Sequence, residues 1–157
     1  MNHQSTVSRP SDREFVVTRV VRGTPPNVFA AWSKPELFKQ WWVPKGAPMT
    51  LEGCDMDVRV GGKYRLTFQM AEQTFAFFGD YLEVTPPARL VWTNAEGGEA
   101  EAAVTTVTFA AQGDHTLVTV HDLHPSKAAL DAAIESGATE GLPVQLAQLD
   151  EFMSGQQ

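Results

Sequence analysis

From Met49 to about Asp122 apolar and polar residues alternate with a period of two, and after Ser126 the period lengthens to that of a helix. The cleanest alternation is Lys63 to Met70, where Tyr64, Leu66, Phe68 and Met70 share one face and Lys63, Arg65, Thr67 and Gln69 the other. Strands are predicted before it over Met49 to Val60, and after it over Thr74 to Val84, Arg89 to Asn94, Ala103 to Ala110 and Thr116 to Asp122. Gly61-Gly62, Ala71-Glu72-Gln73, Pro86-Pro87, the stretch Ala95 to Glu101 and Gln112-Gly113-Asp114 mark the turns between them. An earlier strand begins near Glu14 and runs to Arg22. Thr24 with Pro25-Pro26 then opens a short helix through Val28, Phe29, Ala31 and Trp32. Pro35 interrupts it, and Glu36 to Trp42 form a second short helical piece.

The last predicted element is a long amphipathic helix from Ser126 to Met153. Leu130, Ile134, Ala138, Leu142, Leu149 and Met153 line its inner face, with Gly137 and Gly141 as a smooth strip, while Ser136, Glu140, Asp150 and Glu151 fall outside. Pro143 predicts a kink, or a break with Thr139 capping a fresh helix. The order is strand, two short helices, six strands, one long helix. That pattern describes an α+β domain in which a curved antiparallel sheet closes around a helix and encloses a cavity. Residues 1 to 12 are read as a loose tail and 13 to 154 as a single domain.

Composition narrows the partners. A formal charge of -7 and scattered lysines and arginines give nothing to neutralise phosphates, which excludes nucleic acid and anionic membrane surfaces. The amino terminus has no apolar run of signal-peptide length, and no stretch could span a bilayer. The single cysteine, Cys54, forms no internal disulfide and suits a reducing cytoplasm. Elbow, phosphate-loop and dinucleotide motifs are absent, and Cys54 lies mid-strand, where an inert thiol is expected.

Several segments resemble a known family. Val28-Phe29-Ala30-Ala31-Trp32 with Pro35-Glu36-Leu37 and Trp41-Trp42-Val43-Pro44, Asp57 to Gly62, Gly79 to Val91, and Ser136 to Leu142 with Leu149 look like the activator-of-heat-shock-protein-90-ATPase homologue family. The resemblance covers nearly residues 14 to 153. It implies a helix-grip (START-like) fold, whose usual task is to hold an apolar ligand between sheet and helix. Two departures stand out. No docking domain precedes Glu14, which argues against a chaperone partner, and Leu142-Pro143 replaces the tryptophan that many members carry after the second helix glycine.

The candidate ligand-binding residues are those expected to line the space. From the sheet they are Tyr64, Leu66, Phe68, Met70, Phe75, Phe77, Tyr81 and Trp92; from the helix, Leu142 and Leu149. Trp41 and Trp42 either cover the mouth or anchor the short helices. His121 enters the space if Leu117 and Thr119 face inwards; otherwise it bonds a neighbour at the strand end. An enzyme of cyclase or hydrolase type would use His121 with Arg59 or Tyr81, and Arg59 with Asp57 reads equally as a surface ion pair. The spacing of His121, Asp122 and His124 matches no strong metal pattern. The leading expectation is therefore a cofactor-free binder of a small hydrophobic or aromatic molecule. The rivals are an enzyme at His121 and an interaction protein, the latter a homodimer or a chaperone partner.

Overall fold

A computed structural model describes residues 5–43, 49–94, 103–135 and 141–155. The strands are β1 (Thr6–Ser8), β2 (Glu14–Arg22), β3 (Thr50–Met56), β4 (Lys63–Met70), β5 (Gln73–Thr85), β6 (Arg89–Asn94), β7 (Ala103–Gln112) and β8 (His115–Leu123). Helices α1 (Pro25–Ser33) and α2 (Pro35–Phe38) follow β2, and α3 (Lys127–Glu135) and α4 (Gly141–Ser154) end the chain. All eight strands form one sheet in the order β1-β2-β8-β7-β6-β5-β4-β3, and each pairs antiparallel to its neighbours. Strands β2 and β3 thus lie towards opposite edges, and the short helices α1 and α2 bridge the sheet between them. The ladder slips between Leu51 and Gly53 and between Tyr81 and Glu83, irregularities of the kind that bend a sheet.

Local chemistry explains most boundaries. Pro25 and Pro26 occupy the first turn of α1, where a missing N–H costs nothing. The Ser126 hydroxyl accepts the backbone N–H of Ala129 at 3.0 Å and so caps α3. Gly61 turns the β3–β4 connection with φ of +83°, and a Cβ on Gly62 would lie 1.9 Å from the Asp57 carbonyl oxygen.

Two expectations change, and at Pro143 one of two alternatives holds. Residues 6–8, read as part of a loose tail, pair with β2 as an edge strand, Val7 opposite Val17. Of the kink and the break expected at Pro143, the break is what occurs: α3 ends at Glu135, and Pro143 is the third residue of α4, a position with no intrahelical N–H bond to lose. Asp150, assigned to the outer side of the helical pattern, is buried on the inner face together with Leu146, Leu149 and Met153. The predicted loop 95–101, the glycine strip at Gly137 and the positions of Ser136, Ala138, Thr139 and Glu140 lie outside the described residues.

The core lies between the sheet and the helices, with α4 across β2 and α1 against β7 and β8. Leu146, Leu149 and Met153 bury completely or nearly so, contributing roughly 2 kcal/mol each before the entropy cost of ordering them. Asp150 tolerates that setting because it is paired. Its carboxylate accepts the backbone N–H of Arg22 at 2.9 Å and the Arg22 Nε at 3.0 Å, and Arg19 approaches at 3.5 Å. Gln148 joins the remaining parts, donating to the carbonyls of Trp41 at 2.8 Å and Val43 at 2.9 Å.

Candidate functional site

The register of the strands sets the inner face row by row. One row, Val17, Val120, Val107 and Leu90, is wholly apolar and closed to solvent. The adjacent row runs Phe15, Asp122, Thr105, Trp92 and Tyr81, each residue the cross-strand partner of the next. In this row two polar side chains stand between aromatic rings. Thr105 donates its hydroxyl to Asp122 Oδ1 at 2.5 Å. Burial pushes the Asp122 carboxyl above the ordinary carboxylate range, although the Thr105 bond and the charges of His124 and His121 pull the other way. Asp122 nevertheless keeps accessible surface, unlike the closed valines of the next row.

Aromatic residues continue from that row onto the helices. The Trp92 ring lies 6.5 Å from both Tyr64 and Tyr81 and 5.9 Å from Trp32 of α1. Trp32 in turn meets Trp41 edge-on at 4.8 Å, Trp42 at 6.0 Å and Phe109 at 6.1 Å. Its indole N–H is buried with no acceptor among the described residues, a cost of about 1–3 kcal/mol for an unsatisfied polar group. The Tyr64 hydroxyl donates to the Thr93 carbonyl at 2.7 Å. Burial raises the Tyr81 phenol far above its ordinary pKa, with smaller effects from Cys54 and Asp57, so it stays protonated. Gly79 makes room for Tyr64, since a Cβ there would stand 2.9 Å from the ring and 1.9 Å from the Thr93 carbonyl oxygen.

The structure therefore gathers most of the predicted aromatic set. Tyr64, Leu66, Phe68 and Tyr81 are buried on the inner face, Trp92 is half-buried there, and Leu149 and the half-buried Leu142 pack from α4. Phe75 and Phe77 form a separate group around Phe68, all three centroid separations being 5.5 Å. Met70 departs from the expectation. It keeps the inward phase of β4 but is 36% exposed, because it pairs with Gln73 at the tip of the β4–β5 hairpin. Trp41 is an anchor, 1% exposed with its indole N–H donated to the Ala31 carbonyl at 3.1 Å. Trp42 stacks on Phe38 at 4.6 Å.

The proposed catalytic group does not assemble. Val118 and Val120 are the inward residues of β8, which turns His121 to the opposite face with the half-buried Leu117 and Thr119. There its Nε2 lies 2.6 Å from a Glu14 carboxylate oxygen, the strand-end pairing weighed above. Arg59 holds Asp57 at 2.8 Å in an ion pair exposed to solvent, with its side chain 74% accessible. Tyr81 alone of the three faces inwards. Among the described residues no three of His, Cys, Asp and Glu converge as metal ligands. Two open surface hollows, about 300 Å³ beside Pro35 and Cys54 and about 220 Å³ beside Gln40 and Phe152, lie apart from the Asp122–Tyr81 row.

Residues 22–154 match the family described as activator of Hsp90 ATPase homolog 1-like protein. The chain belongs to this family. As a member of it the protein has the START-like helix-grip fold, and proteins of this fold typically bind hydrophobic ligands. A crystal structure of a Nitrosomonas europaea protein is 25% identical, with a TM-score of 0.84 over 94% of this chain and 98% of that one. One from Rhodobacter sphaeroides is 19% identical, with a TM-score of 0.88 over 98% and 100% of the two chains. A solution structure from Staphylococcus epidermidis is 23% identical, with a TM-score of 0.80 over 97% and 95%. No curated protein is similar enough in sequence to count as a relative. Among the described residues no helix is long and apolar enough to cross a membrane.

Asp122 and Thr105 in this row, and Trp32 against it, were not among the expected ligand-binding residues, Asp122 having been weighed only as a metal ligand. The signal for Asp122 was its even spacing from Val118 and Val120, but Leu117 and Thr119 make the opposite phase of β8 look equally suited to the interior.

Proposed function

We propose that this member of the family binds a small molecule with an aromatic or apolar body between the inner face of the sheet and the helices. The observation that carries the reading is the Asp122–Thr105–Trp92–Tyr81 row, where the inner face is polar, aromatic and, at Asp122, still accessible, beside the Val17–Val120–Val107–Leu90 row that is closed and apolar. The buried Asp150 serves packing by pairing with Arg22 and Arg19, whereas among the described residues the desolvated Asp122 carboxyl has only the Thr105 hydroxyl as a hydrogen-bond partner and the Trp32 indole N–H has no acceptor. Groups of that kind set the orientation of a ligand whose affinity comes from ring contacts. His121, Arg59 and Tyr81 do not converge, so binding accounts for the geometry better than a reaction at His121.

The test is native mass spectrometry of protein purified without organic solvent, followed by denaturation to release and identify any bound molecule. A discrete added mass of an aromatic or apolar compound is expected. Protein that is empty as isolated and takes up none of a panel of two- and three-ring aromatics would overturn the reading.

A further inference from the structure

We infer that the ligand bears a hydroxyl group and that Asp122 receives it, so that the protein selects hydroxylated aromatic molecules over their ethers and parent hydrocarbons. This rests on the binding reading above and specifies the chemistry of the same site. Asp122 Oδ1 is occupied by the Thr105 hydroxyl. That is the one hydrogen bond to its side chain among the described residues, which leaves Oδ2 without a donor on a carboxyl that retains accessible surface. A carboxylate oxygen accepts only, so whatever meets it must donate.

The surroundings decide which donor. Asp122 is flanked across the strands by the Phe15 ring and by Thr105, and beyond Thr105 stands the half-buried Trp92. Neither flanking group carries a charge to accompany an ammonium, and moving a cation into this setting would add a second desolvation cost to that of the carboxyl. A hydroxyl donates without that cost. With its oxygen at Asp122, the ring that bears it lies along Trp92, towards Tyr81 and Tyr64, where edge and offset contacts between rings are already the rule. Selection follows from the asymmetry of hydrogen bonding. A ligand that covers Asp122 without donating to it removes water from the carboxyl and returns nothing.

The probes are 2-naphthol, 2-methoxynaphthalene and naphthalene, titrated by tryptophan fluorescence and calorimetry into the full-length protein, Asp122→Leu and Asp122→Asn. The wild type is expected to bind 2-naphthol about tenfold or more tighter than the ether, the discrimination one charge-assisted hydrogen bond supplies. In Asp122→Leu the preference should vanish while both compounds still bind. In Asp122→Asn, which keeps the shape of the side chain should the leucine variant not fold, it should fall, since an amide oxygen accepts more weakly than a carboxylate. Equal wild-type affinities for naphthol and ether, or a preference that survives both substitutions, would overturn the role of Asp122 and leave the apolar site standing. Failure of the wild type to bind any of the three would bring down the site and this inference with it.

Discussion

Asp150 is the acid that holds α4 to β2, and replacing it with alanine separates the packing of the last helix from its electrostatics. The side chain is 6% exposed and accepts three bonds from Arg22, one of them from its backbone N–H, with Arg19 also in reach. Removing it strands the Arg22 N–H, worth about 1–2 kcal/mol when left unpaired. It also leaves Arg19, 16% exposed and with its Nε already unpaired, without a counter-charge, at about 2 kcal/mol after discounting the range for fully buried pairs. The Arg22 guanidinium is 42% exposed and recovers most of its solvation, so it adds at most a few tenths of a kcal/mol. The expected total is about 3–4 kcal/mol, or roughly 6–16 °C in Tm for a chain of this size. Asp150→Asn retains an acceptor for the N–H and should lose about half as much. Burial alone would raise the Asp150 pKa, but the hydrogen bonds and charge of Arg22, with the charge of Arg19, outweigh it and hold it below 3.8. A depressed carboxylate stabilises above its unfolded pKa and ceases to as pH falls through the folded one. The gap between wild type and variant should therefore be flat from about pH 7 to 5 and shrink below about pH 4. Urea denaturation followed by circular dichroism measures both. A loss under 1 kcal/mol for the alanine variant, or a gap that persists at pH 3, would refute the reasoning.

Gln148→Leu leaves the carbonyls of Trp41 and Val43 without the amide that holds them, and should cost about 2 kcal/mol in the same denaturation assay. The Cys54 thiol is pushed up to about 11, by burial first and then by the charge of Asp55, so native protein at pH 8 should react with Ellman's reagent only slowly and unfolded protein at once. Because His121 points away from the core and pairs with Glu14, His121→Ala removes no contact with a ligand on the inner face and should leave 2-naphthol affinity within about threefold of wild type by calorimetry.

Strong, single-phase patterns were legible in the sequence and ambiguous ones were not. Lys63 to Gln69 alternate without conflict, and the structure buries Tyr64, Leu66 and Phe68 as that alternation predicts. Periodicity describes faces, however, and not where an element outruns the core, so Met70 was assigned inwards though it lies at a hairpin tip. β8 carries apolar residues in both phases, Leu117 and Leu123 in one and Val118 and Val120 in the other, and only pairing with β2 and β7 decides that Val118, Val120 and Asp122 turn in. Asp150 shows a related limit. The inner set Leu142, Leu149 and Met153 omitted Leu146, and with it the row that carries Asp150 inwards; what makes that burial tolerable, Arg19 and Arg22, lies more than a hundred residues earlier in the chain. Thr6 to Ser8 carry too few residues for any period to register, and their strand exists because β2 offers a free edge.

The central claim is that an aromatic ligand lies on the inner face beside Trp92. The most direct measurement is a titration of ¹⁵N-labelled protein with 2-naphthol, following the indole N–H signals of the four tryptophans by NMR. The Trp92 signal should move most, with Trp32 next because its N–H has no acceptor of its own, while Trp41, bound to the Ala31 carbonyl, stays nearly still. Shifts confined to the outer face around the exposed Val60 and Leu82, or no shift at saturating ligand, would contradict it.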